Sequence, residues 1–157
     1  MEIRRIDGPG REAVNAFIER NWFTLQMAVH GELIDLSAAG GWYAAEDGEI
    51  TGLITCRTRG GEMEILSLDS AVENRGVGSA LLEKAVSEAR RLGCARVFLI
   101  TTNDNTRALR FYQRRGFDMV RLYRNALEES RRLKPEIPPV GNDGIPLRHE
   151  IELEMLL

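Results

Sequence analysis

The chain has 157 residues, 43% hydrophobic and 29% charged, which is ordinary for one globular domain that buries its core without metal or disulfide staples. Its net charge of -3 argues against a general nucleic-acid binder, which carries a basic excess or stripe. No apolar run follows Arg4 and Arg5 and no stretch reaches the length of a membrane span, so neither a secretory signal nor membrane insertion is expected, and the cytoplasm is the expected compartment. Cys56 and Cys94 make no disulfide framework and read as small buried hydrophobes. His30 and His149 lack the spacing of a metal site, so no metal is expected.

In chain order, Glu2 to Ile6 reads as a short strand and Asp7-Gly8-Pro9-Gly10 as a turn. Arg11 to Trp22 carries Val14, Phe17 and Ile18 at helical spacing. Phe23 to Gly41 is less regular, and a loop with a short helical turn or strand is expected there. Trp42 to Ala45 and Ile50 to Arg57 read as strands joined at Asp47-Gly48, a strong hairpin signal. After a second turn at Gly60-Gly61, Glu62 to Asp69 is the next strand, which completes an antiparallel meander.

A helix is expected from about Gly78 to Leu92, with Val77, Leu81, Ala85, Ala89 and Leu92 as its buried stripe and Gly93 as its stop. The apolar strand Ala95 to Thr101 follows. With a helix between them, it can lie parallel to Glu62–Asp69. Thr102-Asn103-Asp104-Asn105 supplies caps for a helix from Thr106 to Arg115, which Gly116 ends. Phe117 to Tyr123 alternates as a strand. Asn125 to Leu133 reads as a short helix with Asn125 and Glu128 as a capping box. The segment from Pro135 to Pro146 holds four prolines, and is expected to be a structured loop or a mobile flap. In the last strand, from His149 to Leu156, Ile151, Leu153 and Met155 alternate with Glu150, Glu152 and Glu154, so one face is expected to be buried and the glutamate face solvated.

The stretch from Glu62 to Leu92 organises the rest. Its strand enters the turn Arg75-Gly76-Val77-Gly78, and the turn opens directly into a helix. Free backbone N–H groups and the positive end of the helix dipole then point at one small volume, which suits a phosphate. A tight turn that needs glycine for its backbone angles explains the same residues. The segment from Asn105 to Phe117 puts Tyr112 on a short helix after the second parallel strand. That places it at the edge where open sheets bind ligands.

In order and spacing, the chain resembles the GCN5-related N-acetyltransferase (GNAT) superfamily. The family's acetyl-CoA signature, (Gln/Arg)-x-x-Gly-x-(Gly/Ala), maps to Glu73-Asn74-Arg75-Gly76-Val77-Gly78, with both glycine positions matched and Glu73 departing from the pattern. A second signature is matched at Asn105, Ala108, Phe111, Tyr112, Gly116 and Phe117. The resemblance implies a mixed α/β fold. Its sheet has six or seven strands and is mostly antiparallel, with helices on both faces and a central parallel pair splayed to hold acetyl-CoA. One N-acetyltransferase domain then covers Met1 to Leu157, with the helix and loop between Arg124 and Arg148 as an extra.

The resemblance also implies roles. The pyrophosphate of acetyl-CoA sits on the amides of Arg75, Gly76, Val77, Gly78, Ser79 and Ala80. The pantetheine pairs with the backbone near Leu68 and Ser70, and an amide near Leu68 polarises the thioester carbonyl. Tyr112 is the general acid. Asn105 orients the cofactor or caps its helix. Glu62 and Glu64 are the base candidates, on the face of Leu68 by period-two counting, with Asp69 on the other face. Asp143 and His149 are further candidates for the acceptor pocket, and Gly141-Asn142-Asp143-Gly144 is expected to line it. The implied partners are acetyl-CoA and an amine of a small molecule or a protein, with no nucleic acid and no membrane. A homodimer through an exposed sheet edge is compatible with the family. A non-catalytic acyl-CoA-binding module is the alternative. A dinucleotide-binding protein is disfavoured by the N-terminal meander.

Overall fold

The computed structural model of the chain describes residues 1–71 and 75–157. Glu73 and Asn74, which open the first signature, lie outside the described residues. Strand β1 (Glu2–Arg5) leads into helix α1 (Gly8–Trp22), and a hairpin of β2 (Gln26–Val29) and β3 (Glu32–Asp35) follows. The meander is β4 (Gly40–Glu46), β5 (Glu49–Arg59) and β6 (Glu62–Ser70). Helix α2 (Val77–Arg91), β7 (Arg96–Thr102), α3 (Thr106–Arg114), β8 (Asp118–Tyr123), α4 (Ala126–Leu133) and β9 (Glu150–Leu156) complete the chain. The main sheet has the order β1-β4-β5-β6-β7-β9-β8, mostly antiparallel with a parallel pair, and β2 and β3 form a sheet of their own. The chain divides into two compact units, Met1–Gln26 with Asp35–Val97 and Leu157, and Met27–Ile34 with Phe98–Leu156.

In the first unit, local chemistry sets the turns. Asp47 and Gly48 have φ of 51° and 80°, and Gly60 and Gly61 have 62° and 73°; such consecutive left-handed residues match the twist of a two-residue hairpin. Asp7 caps α1 by accepting from the Gly10 amide at 2.9 Å. Gly93 (φ 74°) ends α2 in a Schellman motif: the Cys94 amide bonds to the Ala89 carbonyl at 2.9 Å, and the Gly93 amide to Arg90 at 3.1 Å. Helix α2 buries Val77, Leu81, Leu82, Ala85, Val86 and Ala89. Leu92, expected in that stripe, is 49% exposed, because it is already the C-cap residue where the chain leaves the helix. Both cysteines are buried and unpaired, and burial pushes the Cys56 thiol up to about 12.

The start of β7 runs beside the start of β6. The Ala95 amide bonds to the Gly61 carbonyl at 2.8 Å, and the Arg96 guanidinium holds the Glu62 carboxylate at 3.0 Å. Two strand starts side by side make the pair parallel, as the intervening helix predicts.

The second unit contains the β2–β3 hairpin tip and the segment from β7 to β9. His30 and Gly31 both take positive φ at the tip; the irregular Phe23–Gly41 region holds this tight hairpin and a short 3-10 turn at Leu36–Ala38, in line with the expected short helical turn or strand. Asn125 corrects the capping-box expectation. It lies in the left-handed region (φ 59°) with no side-chain cap bond, and its Oδ1 accepts from Arg148 at 3.2 Å instead. The proline-rich loop is structured. Val140 bridges Pro146, and the Arg131 guanidinium donates to the carbonyls of Pro138 at 2.8 Å and Leu147 at 2.6 Å.

Strand β9 corrects the sequence reading more deeply. Leu153 is fully buried as expected, but Glu150 and Glu152 are also buried, at 1% and 7% exposure. The glutamate face is covered because the hairpin tip docks on it: the His30 amide donates to Glu150 Oε2 at 2.9 Å. The Tyr123 hydroxyl meets Glu152 at 2.7 Å.

Candidate functional site

Within the first unit, the site residues gather on β6 and at the start of α2. Opposite β6, Thr55 faces Ser67 and its neighbour Cys56 faces Ile65, so Leu66 is an extra residue, a β-bulge. Two consecutive residues of β5 point to opposite faces, so Ile65 and Ser67 do too. The bulge therefore reverses the alternation along β6. Glu62, Glu64, Ser67 and Asp69 share one face, and Met63, Ile65, Leu68 and Ser70 share the other. Side-chain contacts agree: Arg57 pairs with Glu64 at 3.0 Å, and the Thr55 and Ser67 hydroxyls are 2.6 Å apart. Period-two counting, which put Glu62 and Glu64 with Leu68 and set Asp69 apart, is corrected by that one inserted residue.

Helix α2 covers the Leu68–Ser70 face. Gly52 stands opposite Ser70, and a Cβ there would lie 2.5 Å from Val77 and 3.1 Å from Leu81. The absence of a side chain lets the first turn of α2 sit directly on the end of the β5–β6 ladder. Gly76 is the N-cap, with φ 76°, a conformation that suits glycine. It has no side chain to cap the amides of Val77, Gly78 and Ser79. The first intrahelical bond runs from the Ala80 amide to the Gly76 carbonyl at 3.0 Å. Arg75 and Gly76 are exposed, and Gly78, Ser79 and Ala80 are half-buried. A glycine-capped helix N-terminus beside a strand end fits a pyrophosphate.

Helix α1 covers the opposite, polar face. Glu64 is 6% exposed and bound to Arg57; Glu62 is bound to Arg96. Asp69 is held differently. Its Oδ2 accepts from the indole Nε1–H of Trp22, the last residue of α1, at 2.9 Å. Burial raises the Asp69 carboxyl above its usual range, and the indole bond opposes the rise in part. Trp22 was missed in the sequence, because nothing local signals a bond across 47 positions.

Within the second unit, Tyr112 lies in α3, 4% exposed, with its ring edge-on to Phe111 and Phe117 at centroid distances of 5.1 and 5.3 Å. The Phe117 amide returns to the Tyr112 carbonyl at 3.1 Å through Gly116, whose φ is 93°. The spacing of the second signature thus has a packing basis: it locks the tyrosine ring. Asn105 caps α3, its Oδ1 accepting from the Ala108 amide at 3.2 Å while its Nδ2 donates to Thr101 at 3.1 Å.

The turn before α3 also anchors the proline-rich loop. Asp104, 5% exposed, accepts from the Asn142 amide at 2.9 Å and from Thr102 at 2.5 Å. Asn103 Oδ1 accepts from the amides of Arg148 and His149 at 3.0 and 2.9 Å. In the sequence these residues read only as caps. Asp143 is exposed in a left-handed turn (φ 56°). His149 uses Nδ1 to accept from the Asn125 amide at 2.9 Å, and burial, with Arg148 and Arg124 nearby, lowers its pKa. Among the described residues, no group of His, Cys, Asp and Glu could hold a metal ion, and no helix is long and apolar enough to cross a membrane.

A mixed sheet with a glycine-capped helix after its first parallel strand defines an acetyl-CoA-type acyltransferase fold, and the comparisons agree. The model of the Acetyltransferase (GNAT) family matches residues 10–117. Bacillus subtilis (strain 168) YdhI, an uncharacterised protein, is 45% identical over 136 residues, 86% of this chain and 85% of that protein. An IAA acetyltransferase from Bacillus cereus ATCC 14579 has the same fold, with a TM-score of 0.74 over 99% of both chains at 24% identity. A GNAT family acetyltransferase from Elizabethkingia anophelis with acetyl-CoA bound gives a TM-score of 0.68 over 78% of both chains at 24% identity. The chain belongs to the GNAT acetyltransferase family.

Proposed function

We propose that the protein moves an acetyl group from acetyl-CoA to a primary amine of a small molecule or a protein. The observation that carries this is the N-terminus of α2, capped by Gly76 and seated on Gly52 in a chain of this family. When bound, acetyl-CoA supplies the activated acyl group. The amides from Arg75 to Ser79 receive its pyrophosphate, the Ala80 amide, expected among them, being held by the Gly76 carbonyl, and the backbone near Leu68 and Ser70 receives the pantetheine. An amide near Leu68 stabilises the developing oxyanion. Tyr112, its ring fixed by Phe111 and Phe117, gives the proton that the departing sulfur needs. The face of β6 that carries Glu62 and Glu64 supplies the base, acting directly or through water.

The loop Gly141–Gly144, anchored by Asp104, lines the acceptor site. If removing that loop left the acceptor KM and kcat unchanged, this part would be wrong. The main test is release of free CoA with a panel of alkyl diamines, aminoglycosides and lysine- or N-terminal-amine peptides. Wild type is expected to turn over at least one class. Tyr112→Phe should lose about 100-fold in kcat near pH 7 while still binding acetyl-CoA in calorimetry. Binding without CoA release from any amine would favour a non-catalytic acyl-CoA module.

A further inference from the structure

We propose that Asp69, positioned by the Trp22 indole, is the general base that takes the proton from the acceptor ammonium; this rests on the acetyl-transfer reading above. Three carboxylates share the polar face of β6, and two are committed. Glu62 is held by Arg96 and Glu64 by Arg57, each at 3.0 Å. Their carboxylates are engaged by guanidinium groups that an incoming ammonium would have to displace. Asp69 has the uncharged Trp22 donor on Oδ2, and its Oδ1 remains to receive a proton. It is also the carboxylate next to Leu68 and Ser70, where the pantetheine is expected.

The surroundings of Asp69 suit this work. The row across the strands from Asp69 runs through Leu53, Tyr43 and Arg4, and Arg4 is bonded to Glu2. Glu64 with Arg57, and Glu62 with Arg96 and with Arg59 opposite it, are further charged groups on its face among the described residues, and α1 presents it with Trp22. Burial acts first on its carboxyl and raises it above the usual carboxylate range, which makes it a better proton acceptor than an exposed aspartate.

The step balances. One proton passes from R–NH3+ to the Asp69 carboxylate. The freed nitrogen lone pair attacks the thioester carbon, a C–N bond forms and the C–S bond breaks. The second nitrogen proton replaces the one that Tyr112 gives to the sulfur. Asp69 then releases its proton to solvent, so the sum is amide, CoA thiol and one proton.

The test measures kcat/KM against pH for whichever amine of the panel wild type acetylates, and follows tryptophan fluorescence from pH 3 to 9. Asp69→Asn keeps an acceptor for the indole and should fold. It is expected to lose about 100-fold or more in kcat/KM at pH 7, to bind acetyl-CoA as wild type does, and to recover rate steadily toward pH 10, where the amine needs no base. Wild type should show a fluorescence transition that Asp69→Asn lacks. Trp22→Phe removes the bond that lowers the Asp69 pKa, so the acid limb of the profile should move to higher pH. Turnover by Asp69→Asn within threefold of wild type, or an unmoved limb in Trp22→Phe, overturns the assignment while leaving acetyl transfer intact. Failure of wild type on every amine overturns both.

Discussion

Strands β6 and β9 each carry a row of three acidic residues, and the two rows are handled in different ways. On β6 the row is assembled by a bulge: Glu62 and Glu64 precede Leu66, and Asp69 joins their face only because Leu66 is extra. Its two glutamates are neutralised by arginines from neighbouring strands. On β9, Glu150, Glu152 and Glu154 need no bulge to share a face; Glu150 accepts from the His30 backbone amide, and the Tyr123 phenol donates to Glu152. Glu150 Oε1 has no hydrogen bond; its nearest partner is the His30 ring at 3.6 Å. Strand periodicity reports which residues share a face, and the cross-strand partners decide what a carboxylate there can do.

Substitutions can sharpen that contrast. The largest stability effect is expected at Glu150, whose side chain is 2% exposed. Glu150→Ala strands the His30 amide and leaves a void, and should lower unfolding stability in urea by about 2–4 kcal/mol. Glu150→Gln keeps the acceptor and should cost under about 1 kcal/mol; equal losses would mean that the charge, not the hydrogen bond, holds the hairpin.

On β6, Glu64→Ala leaves the Arg57 side chain, 24% exposed, without its anion. A loss of about 1–3 kcal/mol is expected there. Glu62 is 40% exposed, and Glu62→Ala should cost under about 1 kcal/mol. Paired denaturation curves check the order, and a reversal would undo the distinction between buried and half-exposed pairs.

Two smaller effects are read against pH. The folded-state pKa of Asp69 is raised above 3.8, so its contribution is most favourable below that value and worsens as pH rises through the folded pKa. Asp69→Asn should therefore be more stable than wild type at pH 7, and the difference should shrink as pH falls toward 3.8. For His149 the folded pKa is depressed below 6.5, so the unfolded chain binds the extra proton. Its contribution is present above pH 6.5 and is lost as pH falls through the folded pKa, where protonated Nδ1 can no longer accept from Asn125. His149→Gln should flatten that part of the stability–pH curve.

Much of the fold was legible in the sequence because its signals are local. Asp47-Gly48, Gly60-Gly61 and Gly93 act through their own backbone angles, and the α2 stripe through its period. The turn from Arg75 into α2 was legible for the same reason. What stayed hidden depends on partners distant in sequence. No glycine or proline marks the bulge at Leu66; it exists only in the register with β5. Glu150 alternates as a solvated residue would, and a hairpin 120 positions away buries it. Asn125 has the residue type of a cap, but Arg148 and His149 take its polar groups. Asp104 looked like part of a capping run, and its loop-anchoring role needs Asn142.

The bulge also has a genetic consequence. Replacing Leu66 by another apolar residue would leave the register of β6 in place. Losing its codon would remove the extra residue and restore plain alternation. Ser67 would then follow Ile65 directly, as Thr55 and Cys56 follow one another on β5, so Asp69 would stay on the face of Glu62 and Glu64 without a bulge. The shared acidic face therefore survives the loss of residue 66, and the bulge marks a place on β6 where a residue can be gained or lost without turning the side chains beyond it.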